Sequence, residues 1–224
     1  MKKSSLSVAT FFVLSAFASA EVVADDWAGT NAGLQAGYTR GDADTHSYWA
    51  GGAKAFSLTG FDVDGSVVGI FAGHNWRVNN DVLLGVEAEG NWSSADDKIT
   101  VYIGGPDFWG AEVEKEWDAS LRLRVGKDMG DYMPYITGGI AWAKVDIDGF
   151  TSWGSADKHD EVLTGWTIGA GVEKKINENL HARIQYRYSD YDDEKWDLDP
   201  GNDPNKGEIE YDDHMLTVGV SYRF

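Results

Sequence analysis

HMLTVGVSYRF, residues 214–224, alternates with a period of two. Leu216, Val218, Val220, Tyr222 and Phe224 share one parity, and Thr217, Gly219, Ser221 and Arg223 the other. Successive side chains of a strand point to opposite faces, so this is a strand with one apolar face and one small or polar face. It closes on an aromatic residue, and working outward from it the same pattern recurs along the chain.

Seven further segments repeat it. Leu34, Ala36 and Tyr38 oppose Gln35, Gly37 and Thr39; Val68, Ile70, Ala72 and Trp76 oppose Gly69, Gly73, Asn75 and Arg77; Leu84, Val86, Ala88 and Trp92 oppose Gly85, Glu87, Glu89 and Asn91. Trp117, Ala119, Leu121, Leu123 and Val125 oppose Asp118, Ser120, Arg122 and Arg124. A fifth segment runs from Pro134 to Trp142, with Ile136, Ile140 and Trp142 on the outer side. In the sixth, Trp166, Ile168, Ala170 and Val172 oppose Thr167, Gly169, Gly171 and Glu173; in the seventh, Ile184, Tyr186 and Tyr188 oppose Arg183, Gln185 and Arg187.

The connections after the second, fourth and sixth segments are short. Those after the first, third, fifth and seventh are long: Gly41–Asp64, Ala95–Glu114, Asp146–Glu161 and Asp190–Asp213. Short turns at one end and long loops at the other are the mark of a bacterial outer-membrane barrel. The expected fold is all-β: an eight-stranded antiparallel transmembrane β-barrel with short periplasmic turns and long extracellular loops.

Composition agrees. Glycine is abundant (27) and proline scarce (4); there is no cysteine, so disulfides are excluded. Residues 1–20 read as a cleaved signal peptide: Lys2 and Lys3, the apolar run Leu6–Phe17, then the small residues Ala18-Ser19-Ala20. Residues 21–224 form the barrel domain, located in the outer membrane. The formal charge of −18 excludes nucleic acid as a partner. Outer-membrane lipid and lipopolysaccharide are the expected surroundings.

A lipid-facing wall must be apolar, so the polar parity faces inward. That assigns Arg77, Glu87, Glu89, Asp118, Arg122, Arg124, Glu173, Arg183, Arg187 and Arg223 to an interior charge network with an arginine excess. Eight strands enclose only enough space for their own side chains, so a filled polar plug is expected. Tyr38, Trp76, Trp92, Trp117, Trp142, Trp166, Tyr188 and Tyr222 sit on the outward parity near segment ends and read as interfacial girdles.

GWTIGAGVE (165–173), RIQYRYSDY (183–191), PYITGGIA (134–141) and YRF (222–224) resemble the late strands of the small outer-membrane β-barrel proteins of alphaproteobacteria, a family of major surface antigens and hemin-binding proteins. Trp27-Ala-Gly29 with Gly33 and Gly37-Tyr38 resembles that family's opening strand, although Thr30-Asn31 stands where the family places an aromatic residue. The resemblance implies a structural, envelope-integrity and surface-interaction role. It also implies that Phe224 is the signal read by the barrel-assembly machinery. A surface receptor binding hemin or another ligand through the extracellular loops and a small porin-like channel are the alternatives. For hemin, His46, Tyr48 and His159 in the long loops are the candidate ligands.

No pair of histidines has metal-ligand spacing, so neither a metal site nor a resident cofactor is expected. His181 is expected inside near a turn, with His74 near the opposite wall. The last loop carries eleven acidic residues and two lysines, and its Asp197–Asp203 stretch departs from an EF-hand. His46 and Ser47 are neighbours, which on a strand sends them to opposite faces, and no enzymatic activity is expected.

Overall fold

A computed structural model describes residues 27–48, 54–104, 107–151, 154–197 and 206–224; the expected signal peptide, residues 1–20, lies outside the described residues. Eight strands follow one another: β1 (Gly29–Tyr48), β2 (Lys54–Arg77), β3 (Val82–Gly104), β4 (Asp107–Lys127), β5 (Tyr132–Thr151), β6 (Gly154–Lys175), β7 (Leu180–Asp197) and β8 (Lys206–Arg223). Each pairs with its sequence neighbours, and β8 returns to β1 to close the barrel. The closing seam runs without a register shift from Asn31 opposite Arg223 to Tyr48 opposite Lys206. Closure gives the backbone N–H and C=O groups of every strand partners on both sides, which is what hydrocarbon requires.

The three short connections are built alike. Asn79 Oδ1 accepts from the amides of Asp81 and Val82 at 3.1 and 3.0 Å. Asn177 Oδ1 accepts from those of Asn179 and Leu180 at 3.0 and 2.8 Å. Asp128 Oδ1 accepts from Gly130 at 2.9 Å, where a φ of +81° calls for glycine. These side chains mimic backbone turns, which is why Asn and Asp occupy those positions.

The strands are longer than the sequence pattern indicated, at 24 residues for β2 and 18 for the shortest. A tilted strand crosses a bilayer in about 9–11 residues. The remainder rises beyond it, so most of the expected loops Gly41–Asp64, Ala95–Glu114, Asp146–Glu161 and Asp190–Asp213 is strand. The cause is an inversion of phase. Near the turns the wall is apolar outside and polar inside. Past the aromatic girdle the outward residues become acidic (Asp42, Asp62, Asp96, Glu114), while Ala43, Val63, Ala95, Val113, Ala143, Val145 and Leu163 turn inward and are buried. The period stays at two, but the solvent outside has changed from lipid to water.

On β5, Met133, Tyr135, Thr137 and Ala141 are buried and Ile136 and Ile140 exposed, so the outward choice of Ile136, Ile140 and Trp142 agrees with the wall. Leu123, 72% exposed, stands midway along the apolar part of β4. Leu123→Arg is expected to lower unfolding stability in phospholipid vesicles by about 2–4 kcal/mol, measured by urea denaturation. A loss under about 0.5 kcal/mol would mean that this face is not in hydrocarbon.

Candidate functional site

The barrel interior is the candidate site, and it is built in layers. At the short-turn end, Trp27 is buried against Leu83 and Met133. Its indole donates to the Gly130 carbonyl at 3.0 Å, and its ring lies 4.9 Å from that of His181. A cavity of about 10 Å³ among Trp27, Asn31, Asn75, Glu173, His181, Ser221 and Arg223 remains, room for about one water.

Above it runs a continuous ladder of ion pairs. Glu173 meets Arg124 at 2.8 Å, and Arg124 meets Glu87 at 3.4 Å. Glu87 takes Arg122 at 2.6 Å and Arg183 at 2.9 Å. Both guanidiniums also reach Glu89, Arg183 at 3.0 Å, and Arg187 joins Glu89 at 3.0 Å. Arg187 then pairs with Asp118, Asp118 with Lys115 at 3.0 Å, and Lys115 with Asp213. Five cations and five carboxylates thus alternate through the barrel, all with side chains at most 5% exposed.

Neutral groups fill the gaps. Asn91 donates to Glu89 and Asp118, each at 2.9 Å, and accepts from Gln35 at 2.6 Å. Gln185 donates to Glu89 at 3.2 Å and accepts from Tyr135 at 3.0 Å. Arg183 lies 3.3 Å from the centre of the Phe71 ring, and Arg124 lies 3.7 Å from that of Tyr135. Above Lys115 and Asp213 the lumen turns apolar, with Tyr191 and Tyr211 stacked at 5.5 Å among the buried alanines and valines.

Two of the ten expected interior residues, Arg77 and Arg223, stand outside the ladder. Arg77 is drawn to the turn end, where it pairs with Asp128 at 2.7 Å and donates to the Asn80 carbonyl. Arg223 turns inward at the mouth and donates to the Ala28 carbonyl. With Lys115 and Asp213 included, the ladder itself carries equal numbers of cations and carboxylates among the described residues. Lys115 escaped the sequence reading because of a β-bulge: against β5 the pairing steps from Lys115 to Trp117 while β5 moves one residue, so Glu116 is an extra residue and the parity of β4 flips there.

Outside, Tyr38, Trp76, Trp92, Trp166 and Tyr222 are 47–56% exposed, Trp117, Trp142 and Tyr188 less so, and Phe224 is 68% exposed. His74 turns outward, its ring 4.6 Å from that of Trp76, and bonds Thr30 at 2.9 Å. Just past the girdle, acidic residues line up in register across the strands. Asp190 faces Asp212, Asp212 faces Asp42 and Asp42 faces Asp62; from Asp64 the row continues through Asp96, Glu114, Asp146 and Asp160. Burial, with repulsion from Asp42, pushes the Asp212 carboxyl above the usual carboxylate range. Lys144 meets this row, 2.8 Å from Glu116 and 3.5 Å from Asp146.

The three hemin candidates lie on separated strands. His46 and Tyr48 lie on β1, whereas His159 lies on β6, with β7 and β8 between, about 14 Å along the wall at strand spacing. The side chains of Tyr48 and His159 fall outside the described residues. His46 is instead beside Asp44 and Glu210, a grouping that spacing along one strand could not reveal.

The family model for the outer membrane protein beta-barrel domain matches residues 7–224. The chain is 32% identical over 198 residues to the 25 kDa outer-membrane immunogenic protein of Brucella abortus, covering 88% of this chain and 79% of that protein. It is 30% identical over 242 residues to the 31 kDa outer-membrane immunogenic protein of Brucella melitensis, with 97% of each covered. Among solved structures, the outer membrane protease OmpT from Escherichia coli is similar with a TM-score of 0.54 at 11% identity, over 87% of this chain and 96% of that one. At that identity the likeness is one of fold alone.

Proposed function

The chain belongs to the outer membrane protein beta-barrel domain family, and from that membership we propose that it is a closed, non-enzymatic wall element that stiffens the outer membrane and interacts at the cell surface. The observation that carries this reading is the filled lumen: an ion-pair ladder from Glu173 to Asp213 beneath an apolar cap. Buried guanidiniums and carboxylates held by several partners each cannot swing aside singly without leaving an uncompensated charge. Outside, the acidic row above the girdle faces the headgroup region, where divalent cations bridge carboxylates to lipopolysaccharide phosphates. Phe224, exposed beside Tyr222, serves the assembly machinery.

In planar bilayers the folded protein is expected to give no discrete conductance steps, and a deletion strain to become sensitive to detergent and to chelators of divalent cations. Stable, reproducible steps would establish the channel alternative instead. A hemin receptor built on His46, Tyr48 and His159 is not carried forward, because β7 and β8 separate those strands.

A further inference from the structure

We propose that Asp44, His46 and Glu210 form a binding site for one divalent transition-metal ion across the closing seam of the barrel. Asp44 stands directly opposite Glu210, and His46 lies two residues further along β1 on the same face, opposite Glu208. That register brings one imidazole nitrogen and two carboxylate oxygens within 4.8 Å of one another. His46 Nε2 lies 3.6 Å from Glu210 Oε1. Two ligands on a tetrahedral ion with arms of about 2.1 Å are about 3.4 Å apart, so the pair already spans one edge of a coordination tetrahedron.

An imidazole distinguishes this group from the acidic row nearer the girdle. The His46 side chain is 9% exposed and so held in place, whereas that of Glu210 is 51% exposed. A fixed nitrogen donor beside a mobile, hydrated carboxylate suits an ion that keeps water in its remaining positions. Asp42 and Asp212 continue the same outward face one step toward the membrane and add negative potential. Carboxylates alone suit calcium or magnesium; a committed imidazole shifts the preference to zinc and its neighbours in the transition series. The site lies six residues beyond Tyr38 along β1, roughly 15 Å past the aromatic girdle once strand tilt is allowed for. It joins β1 to β8, so an ion there ties the first strand to the last above the membrane.

The test is a zinc titration of the folded protein in detergent micelles after chelator treatment, read by calorimetry, with heat-modifiable gel mobility verifying the fold of each variant. One saturable, chelator-reversible site is expected, weakened at least tenfold by His46→Ala and by Asp44→Asn. Asp160→Asn, in the acidic row on the far wall, is expected to leave it unchanged, as is excess calcium. Should His46→Ala not fold, Glu210→Gln provides the same reading. Absence of saturable binding overturns the proposal. So does zinc binding that survives loss of His46, falls equally with Asp160→Asn, or is displaced by calcium, since each assigns the ion to general acidic surface.

Discussion

Glu89→Ala is expected to remove about 3–5 kcal/mol of barrel stability, the range for breaking one partner of a buried ion pair. Glu89 is where the ladder branches: Arg122, Arg183 and Arg187 all converge on it, and Asn91 and Gln185 donate to it. Truncation leaves three guanidiniums facing one carboxylate fewer, in a lumen with room for about one water at its lower end. Urea unfolding in phospholipid vesicles, followed by tryptophan fluorescence, measures the loss. Glu89→Gln keeps the acceptor oxygen without the charge and is expected to lie between parent and Ala. Replacing Glu89 by Leu and Arg122 by Met together is expected to recover much of the loss, because an apolar pair carries no desolvation penalty. The same series bears on function. If Glu89→Ala costs under about 1 kcal/mol, water must be screening the stranded arginines, and a wet lumen is what a channel would need.

How far the sequence alone could go is visible strand by strand. Across the lipid-facing half, the alternation of Leu121, Leu123 and Val125 against Ser120, Arg122 and Arg124 has one meaning, and the three short turns announce themselves through Asn79, Asp128 and Asn177. The pattern failed where its sign changed. Val63 between Asp62 and Asp64 alternates as cleanly as Leu123 between Arg122 and Arg124, but with the apolar residue inward. A search for apolar-outward segments therefore stops at the girdle and counts strand as loop. Lys115 and Asp213 were hidden for a related reason: one sits behind the bulge at Glu116, the other in a stretch already assigned to a loop. Without them the ladder stops at Asp118. The His46–Glu210 approach depends on the seam register, which extends from the Tyr38–Leu216 pairing to Asp44–Glu210 without a shift; extrapolating that register was the available signal.

The inversion also explains why the barrel needs two kinds of core. Within the bilayer no outward polar group is tolerated, so the chain's charge is concentrated inside and must neutralise itself, as the ladder does. Beyond the bilayer the outward face is hydrated, so carboxylates move there and the lumen fills with alanine, valine and tyrosine. The aromatic girdle marks the change on the outside, and Lys115 with Asp213, beneath Tyr191 and Tyr211, marks it within.

Gly37→Val is expected to prevent the barrel from closing. Gly37 of β1 faces Thr217 of β8 on the seam. A Cβ at this position would fall against the Leu216 carbonyl oxygen and within 2.8 Å of Thr217 Cα. Both obstacles are backbone, so no side-chain rotation relieves the overlap. Overpacking of this kind costs about 3 kcal/mol at the upper end of its usual range. Here the alternative to strain is worse, because parting β1 from β8 leaves unpaired N–H and C=O groups in hydrocarbon, at several kcal/mol each. The expected result is loss of the compact, heat-modifiable form on gels and of vesicle-protected strands in proteolysis. Gly90→Ala serves as the control, since a Cβ there meets nothing within 4 Å; its stability is expected to stay within about 0.5 kcal/mol of the parent. Both substitutions add a side chain to a glycine in a strand, so a difference between them isolates close backbone approach at the seam from any general cost of losing glycine. If Gly37→Val folds as readily as Gly90→Ala, β1 and β8 do not meet in the register that places Asp44 opposite Glu210, and the metal site across that seam falls with it.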